Sequence, residues 1–215
     1  MVASVIKEKI FIIGLPRTAT TSVCVSLLSL GVKTAHTVYT QKALSQAQAI
    51  ADTPIYCDYQ QLDIAFPSAK FVLLTRPSAM WLPSIKQLLN RMYTNLQRAD
   101  GGFNPILKRC YNDIFSPLTI ENIQNDAFLL ACYQRHHQGV LEYFADRKQD
   151  LLTIDVSHID SYAKLVEFIQ ACPDEKVLRE FEKINIAGKV TAWNKVRHPL
   201  KVESTQAGRV ESLIY

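Results

Sequence analysis

Residues 14–22 read Gly-Leu-Pro-Arg-Thr-Ala-Thr-Thr-Ser, a turn of small and hydroxylated side chains with one cation, Arg17, inside it. A short apolar run, Ile10 to Ile13, precedes the turn, and a helical pattern at Val23, Val25, Leu27, Leu28 and Leu30 follows it. The first backbone N–H groups of a helix have no partner within it, and the helix dipole favours negative charge at that end. Thr18, Thr20, Thr21 and Ser22 add hydroxyl donors, and the Arg17 guanidinium keeps its charge at any working pH. The pattern predicts a site for a phosphate-like group. The blander alternative is a capped helix beside a solvated arginine.

A second cation closes a second apolar run. Arg76 follows Phe71-Val72-Leu73-Leu74-Thr75, and Ser84 lies eight positions further on, in a helical stretch from about Trp81 to Gln97. A guanidinium can fork onto an anion while a serine hydroxyl donates beside it. Taken singly, Arg76 is a surface cation and Ser84 a helix residue next to Pro83. Two residues qualify as general bases. His36 stands in a polar turn after the first helix, and Asp58 closes the run Pro54 to Cys57. His36 is preferred because imidazole titrates nearest neutral pH, but both stay open, against an exposed loop histidine and a helix-capping aspartate. His136 and His137 fall mid-helix, where packing or surface roles are the expectation; His158 and His198 have no constellation around them.

The elements that must position these groups are strands at Ile10–Ile13, Pro54–Cys57, Phe71–Leu74 and Leu151–Val156, alternating with helices. Helices are expected to Leu30 with Gly31 as C-cap, over 81–97, from Thr119 as N-cap to about Phe144, over 162–169, and over the alternating charges of 174–183. Short, continuously apolar strands between helices predict an α/β fold, a single three-layer α/β/α domain around a parallel sheet. Ligands in such sheets bind beyond the carboxyl ends of the strands, where Arg17, Asp58 and Arg76 fall. The whole chain, 1–215, reads as one domain, with 185–215 a polar C-terminal tail of uncertain packing.

Composition narrows the partners. Hydrophobic residues make up 48% and charged residues 20% of 215, which excludes a disordered chain, and a net charge of +4 without a basic stripe argues against nucleic acid. Five scattered cysteines without a CxxC spacing form neither a disulfide framework nor a zinc site. No apolar stretch reaches the roughly 20 residues of a membrane span, and no signal peptide is read at the N-terminus. Free thiols without an export signal suggest a cytoplasmic setting.

A nucleoside-triphosphate loop reads GxxxxGK[ST]. Counted from Gly14, Ala19 stands at its second glycine and Thr20 at its lysine, and only Thr21 fits. The segment instead resembles the 5′-phosphosulfate loop of the sulfotransferases, P-K/R-x-G-T-T/x-S/W. Pro16, Arg17, Thr20, Thr21 and Ser22 fall on that pattern, and Ala19 occupies its glycine. The strand-end Arg76 with Ser84 resembles the family's 3′-phosphate element, and Trp81 falls where one branch reads RDPxxWxxS, with Pro77 one place early. Asp58 with Pro67-Ser68-Ala69-Lys70, the Tyr133-Gln134-Arg135-His136 helix with Val140, and Leu151 to Val156 resemble further stretches of that branch. The likeness spans about residues 8–170.

The resemblance implies a P-loop, sulfotransferase-like fold and 3′-phosphoadenosine 5′-phosphosulfate as sulfuryl donor, with no metal. Pro16, Arg17, Thr18, Ala19, Thr20, Thr21 and Ser22 would cradle the 5′-phosphosulfate, Arg17 stabilising the bridging oxygen, while Arg76 and Ser84 take the 3′-phosphate. The acceptor, a small molecule or glycan bearing a hydroxyl or amine, would meet variable loops within 85–118 and the tail, where Tyr93, Phe103, Tyr111 and Phe115 either line a pocket or form plain core. Two other readings stay open: a P-loop kinase or nucleotide hydrolase, and a catalytically degenerate binder.

Overall fold

Alternation along two strands sets the layers. In β1 (Ile10–Ile12) the side chains of Ile10 and Ile12 join one buried cluster and Phe11 joins another; in β4 (Lys70–Thr75) Val72 and Leu74 join the first, Phe71 and Leu73 the second. Successive strand side chains point to opposite faces, so both strands are covered on both sides. The computed structural model describes residues 8–172, 180–181 and 193–215.

β1 lies at the centre of a five-stranded, all-parallel sheet. β3 (Ala49–Ala51) and then β2 (Thr34–Ala35) extend it on one side, and β4 and then β5 (Leu151–Asp155) on the other, giving the order β2-β3-β1-β4-β5. Ile10 is in register with Ala49 and Lys70, so the strands flanking β1 come from different parts of the chain. The crevice at such a reversal of strand order is where open α/β sheets bind ligands.

One face carries α1 (Thr20–Ser29) through Val23 and Leu27, and α8 (Ser161–Phe168) through Tyr162 and Leu165. Gly31, at φ 82, supplies the left-handed residue that ends α1. The other face carries α2 (Gln41–Gln46), α3 (Tyr59–Ala65) and α7 (Asp126–Tyr143). The three-layer α/β/α expectation is met. A third cluster builds the wall beside the strand ends, where α4 (Ser78–Gln97) sends in Trp81, Ile85 and Leu89 along one stripe and α5 (Pro105–Phe115) adds Tyr111 and Phe115.

Three sequence expectations change. The strand expected at Pro54–Cys57 is a turn; the strand in its place is β3, Ala49–Ala51, and β2 is an additional strand before it. The helix expected over 119–144 is two, α6 (Ile120–Gln124) and α7: Thr119 caps the first as expected, and the Asn125 side chain accepts from Phe128 N to restart the second. Residues 85–118 are mostly the helices α4 and α5 rather than loops, and Tyr111 and Phe115 are core there. The charged helix expected over 174–183 lies largely outside the described residues. Residues 200–204 run beside β2, with Thr34 N donating to Leu200 O at 3.1 Å and Val202 N to Thr34 O at 2.9 Å.

Candidate active site

The chain leaves β1 through Gly14, where a Cβ would stand 2.5 Å from Leu74 Cβ, so only glycine lets β1 and β4 approach there. Arg17 and Ala19 then take φ of 73° and 74°, two left-handed residues that swing the backbone into α1. Ala19 is the N-cap of α1 and offers no side-chain bond, which leaves the first N–H groups of the helix for another partner. Its φ is one that glycine adopts freely and alanine does not, a physical reason for glycine in the resembled motif. Thr18 is spent inside the turn: it is buried, and its hydroxyl donates to Leu15 O at 2.7 Å.

The two cationic segments converge. Arg17 Nε donates to Ser84 Oγ at 2.7 Å, and Arg76 Nη1 donates to Arg17 O at 2.7 Å. Trp81, wholly buried in the first turns of α4, donates from its indole to Pro16 O at 3.0 Å. Tyr133 of α7 accepts from Arg76 N at 2.9 Å and packs on Trp81 with ring centroids 4.7 Å apart, fixing the strand end that carries Arg76. Burial and the neighbouring charges of Arg76 and Arg91 push the Arg17 guanidinium below its ordinary value. Cations drawn together in this way repel until an anion joins them. The donor set fits one: two guanidinium groups, a helix N-terminus, and hydroxyls from Thr20, Thr21 and Ser84.

His36 faces the same turn. Its Nε2 lies 3.1 Å from both Thr20 Oγ1 and Thr21 Oγ1 and 3.8 Å from Asp52 Oδ2, and its ring stacks on Trp193 at 5.6 Å. Burial lowers its pKa, and Asp52 partly restores it. Asp52, missed by the sequence reading, follows the carboxyl end of β3 at φ 54, with Oδ1 accepting from Thr53 N at 2.8 Å. The signal that would have found it is the correct placement of β3.

Asp58 is not at a strand end. It precedes α3 and is clamped by Arg109, with Nη1 to Oδ1 at 2.8 Å and Nη2 to Oδ2 at 2.7 Å, while the Tyr215 hydroxyl donates to Oδ2 at 2.7 Å. Both oxygens are engaged, so the carboxylate serves as an anchor for α5 and residue 215. His136 is likewise structural. It is buried, its Nε2 donates to Ile13 O at 2.8 Å, and burial pushes its pKa down to about 4, so the ring is neutral and holds the end of β1.

Among the described residues no group of three or more His, Cys, Asp or Glu side chains could hold a metal ion, and no helix is long and apolar enough to cross a membrane. The five cysteines are free; Cys24, Cys110 and Cys132 are buried. No curated protein matches the chain. A family model does: it covers residues 37–190, which include Asp52, Arg76 and Ser84 and leave the 14–22 loop outside. With that match over nearly three quarters of its length, on a parallel α/β sheet whose strand ends gather two arginines, the chain belongs to the sulfotransferase domain family.

Proposed function

We propose that the protein transfers a sulfuryl group from 3′-phosphoadenosine 5′-phosphosulfate to a hydroxyl or amine acceptor. The observation that carries this reading is the junction of Arg17, Ser84 and Arg76, two anion-binding segments joined at adjacent strand ends. A nucleotide with phosphates at both its 5′ and 3′ positions matches two such segments. The donor supplies the sulfuryl group, and the acceptor oxygen or nitrogen bonds to sulfur as the bond from sulfur to the 5′-phosphate oxygen breaks. Pro16 to Ser22 cradle the 5′-phosphate through backbone N–H groups and the Thr20, Thr21 and Ser22 side chains, and Arg17 neutralises charge on the leaving oxygen. Arg76 and Ser84 hold the 3′-phosphate.

His36 takes the acceptor proton as general base, and Asp52, 3.8 Å away at the neighbouring strand end, favours the protonated ring. Asp58, its oxygens closed by Arg109 and Tyr215, has the anchoring role instead. The whole chain acts as one domain, and five free thiols suit a cytoplasmic setting.

Calorimetric binding of 3′-phosphoadenosine 5′-phosphate, beside ATP with magnesium, to wild type and Arg76→Ala tests the reading. Binding of the bisphosphate alone, lost on removing Arg76, is expected. A preference for ATP, or no binding, overturns it and favours the nucleotide-hydrolase or degenerate reading.

A further inference from the structure

The C-terminal segment reaches the site along the edge of the sheet. Thr34 of β2 donates to Leu200 O at 3.1 Å and accepts from Val202 N at 2.9 Å, so residues 200–202 run parallel to the strand that delivers His36. The pairing continues past the strand, where Tyr39 N donates to Ser204 O at 2.9 Å and the Thr37 and Ser204 hydroxyls meet at 2.5 Å. Upstream the chain turns on itself: Val196 N donates to Trp193 O and Lys201 N to His198 O, each at 3.1 Å. Lys201 Nζ sits over the Trp193 ring, 5.4 Å from its centroid. Trp193 is thereby tied to Lys201, which lies in register with Thr34, two positions before His36.

The Trp193 ring lies on the imidazole, with centroids 5.6 Å apart and planes 29° from parallel. Among the described residues the polar contacts of His36 are all made through Nε2, to Thr20 and Thr21 at 3.1 Å and to Asp52 at 3.8 Å. They hold one ring atom and leave the plane free, because the χ2 torsion of histidine turns in a broad well. The stacked indole supplies the missing constraint and covers one face of the ring, whose side chain is only 14% exposed. That burial is what lowers the His36 pKa against the pull of Asp52. The charged groups about the ring are Asp52 and, over Trp193, Lys201 paired with Glu203 at 3.2 Å.

We propose that Trp193 is a positioning residue for His36, its ring setting the plane of the imidazole and keeping water from the face it covers, so that Nε2 stays aimed at the donor loop. The C-terminal segment is on this account part of the catalytic apparatus, the edge pairing being what brings Trp193 there. The inference rests on the reading of His36 as the base of sulfuryl transfer.

The test is an NMR pH titration of the His36 ring protons, assigned by their loss in His36→Gln, in wild type, Trp193→Phe and Trp193→Ala. Melting temperature and calorimetric affinity for 3′-phosphoadenosine 5′-phosphate are measured on the same proteins, with kcat/KM for transfer to benzyl alcohol, whose hydroxyl needs a base. In wild type the ring protons should be displaced by the indole ring current, titrate below 6.5, and move when the bisphosphate fills the loop at Thr20 and Thr21. Trp193→Ala is expected to lose the displacement, to titrate closer to 6.5, to keep the bisphosphate affinity, and to lose roughly tenfold in kcat/KM, a part of the hundredfold or more that a general base contributes. Trp193→Phe, which can still stack, should restore all of these. Should the alanine variant not fold, Trp193→Leu takes its place, with bulk but no ring to stack.

An unchanged displacement and midpoint without the indole overturns the inference. So does a loss that Trp193→Phe shares in full and that brings weaker bisphosphate binding, since Trp193 would then be scaffold. Equal transfer in all three proteins overturns it as well; where benzyl alcohol is no acceptor for wild type, the titration decides. Failure of wild type to bind the bisphosphate overturns the donor reading, and this inference with it, whatever the titrations show.

Discussion

Arg17 Nε donates to Ser84 Oγ at 2.7 Å, a contact between residues 67 positions apart that joins the loop after β1 to α4. The Ser84 hydroxyl fixes the guanidinium from outside the loop, and Arg76 braces the loop from the other side through Arg17 O. Because both cations depend on this bracing, their contributions to the proposed bisphosphate binding are expected to be coupled.

Ser84→Ala removes the acceptor for Arg17 Nε without adding bulk. A hydrogen bond to a charged group contributes about 1.5–3 kcal/mol, so 3′-phosphoadenosine 5′-phosphate is expected to bind roughly tenfold or more weakly. In a double-mutant cycle with Arg17→Ala by calorimetry, the two losses should fall short of additivity. Strict additivity would mean that the segments act as independent sites.

Ala19 holds φ 74 at the start of α1. An L-residue with a Cβ is strained there by about 1–2 kcal/mol relative to glycine, offset in part by the greater entropy of glycine in the unfolded chain. Ala19→Gly is expected to stabilise the protein by about 1 kcal/mol, a rise of roughly 2–4 °C in melting temperature for a chain of this size. Calorimetric melting checks it; a lower melting temperature would show that the alanine methyl packs favourably.

The loop and its strand were readable because each signal was local. Ile10 to Ile13 is an unbroken β-branched and aromatic run, Gly14 marks the close approach, and the hydroxyl cluster sits at the start of a helical pattern. Arg76 was equally plain at the end of Phe71–Thr75. β3 was not, because Ala49-Ile50-Ala51 contains two residues of low strand propensity that owe their extended form to pairing on β1, whereas Ile55, Tyr56 and Cys57 have strand-like side chains and form a turn. That one misplacement moved the expected strand end from Ala51 to Cys57, and with it the acidic residue read at that strand end from Asp52 to Asp58. The α6–α7 break turns on a single capping asparagine within a continuous apolar pattern, which periodicity cannot show.

His136 predicts the acid limit of the fold. It is buried and neutral, with its pKa lowered from 6.5 to about 4. Its contribution is present in full above the unfolded-state value of 6.5 and is lost as pH falls toward 4, because the unfolded chain binds a proton that the folded one refuses. The loss over that window amounts to about 3 kcal/mol. Denaturant unfolding measured at pH 7, 5.5 and 4 should show the decline, and His136→Gln should flatten it while lowering stability at pH 7.

His36 and Asp52 predict the acid limb of the rate. With its pKa lowered by burial, His36 is a neutral base at pH 7, so kcat/KM should fall as pH drops through a value below 6.5. Asp52 supports the protonated ring from 3.8 Å and holds that value up against burial. Asp52→Asn removes the support and is expected to shift the limb to lower pH as well as to slow transfer. A structural role for Asp52 would lower the rate at every pH and leave the limb in place.

Asp58 gives the contrasting case. Its carboxylate accepts two bonds from Arg109 and one from the Tyr215 phenol, and Gln41 meets the same segment through Ile214, its Nε2 donating to Ile214 O at 3.1 Å. Residues 211–215 are thus fastened at Tyr39, α2 and Asp58, with Glu211 N donating to Tyr39 O at 2.8 Å and Glu211 Oε2 accepting from Gln41 N at 2.9 Å. Asp58→Asn keeps the shape and removes the charge that draws Arg109 and the phenol together. Arg109 is about half exposed, which lets water replace part of the lost partner, so the expected cost is about 1–2 kcal/mol rather than that of a fully buried pair. Proteolysis near the C-terminus should quicken, since the Tyr215 anchor is weakened. The acid limb of kcat/KM should stay where wild type has it, because His36 and Asp52 keep their geometry. A limb displaced by Asp58→Asn and untouched by Asp52→Asn would return the base role to Asp58.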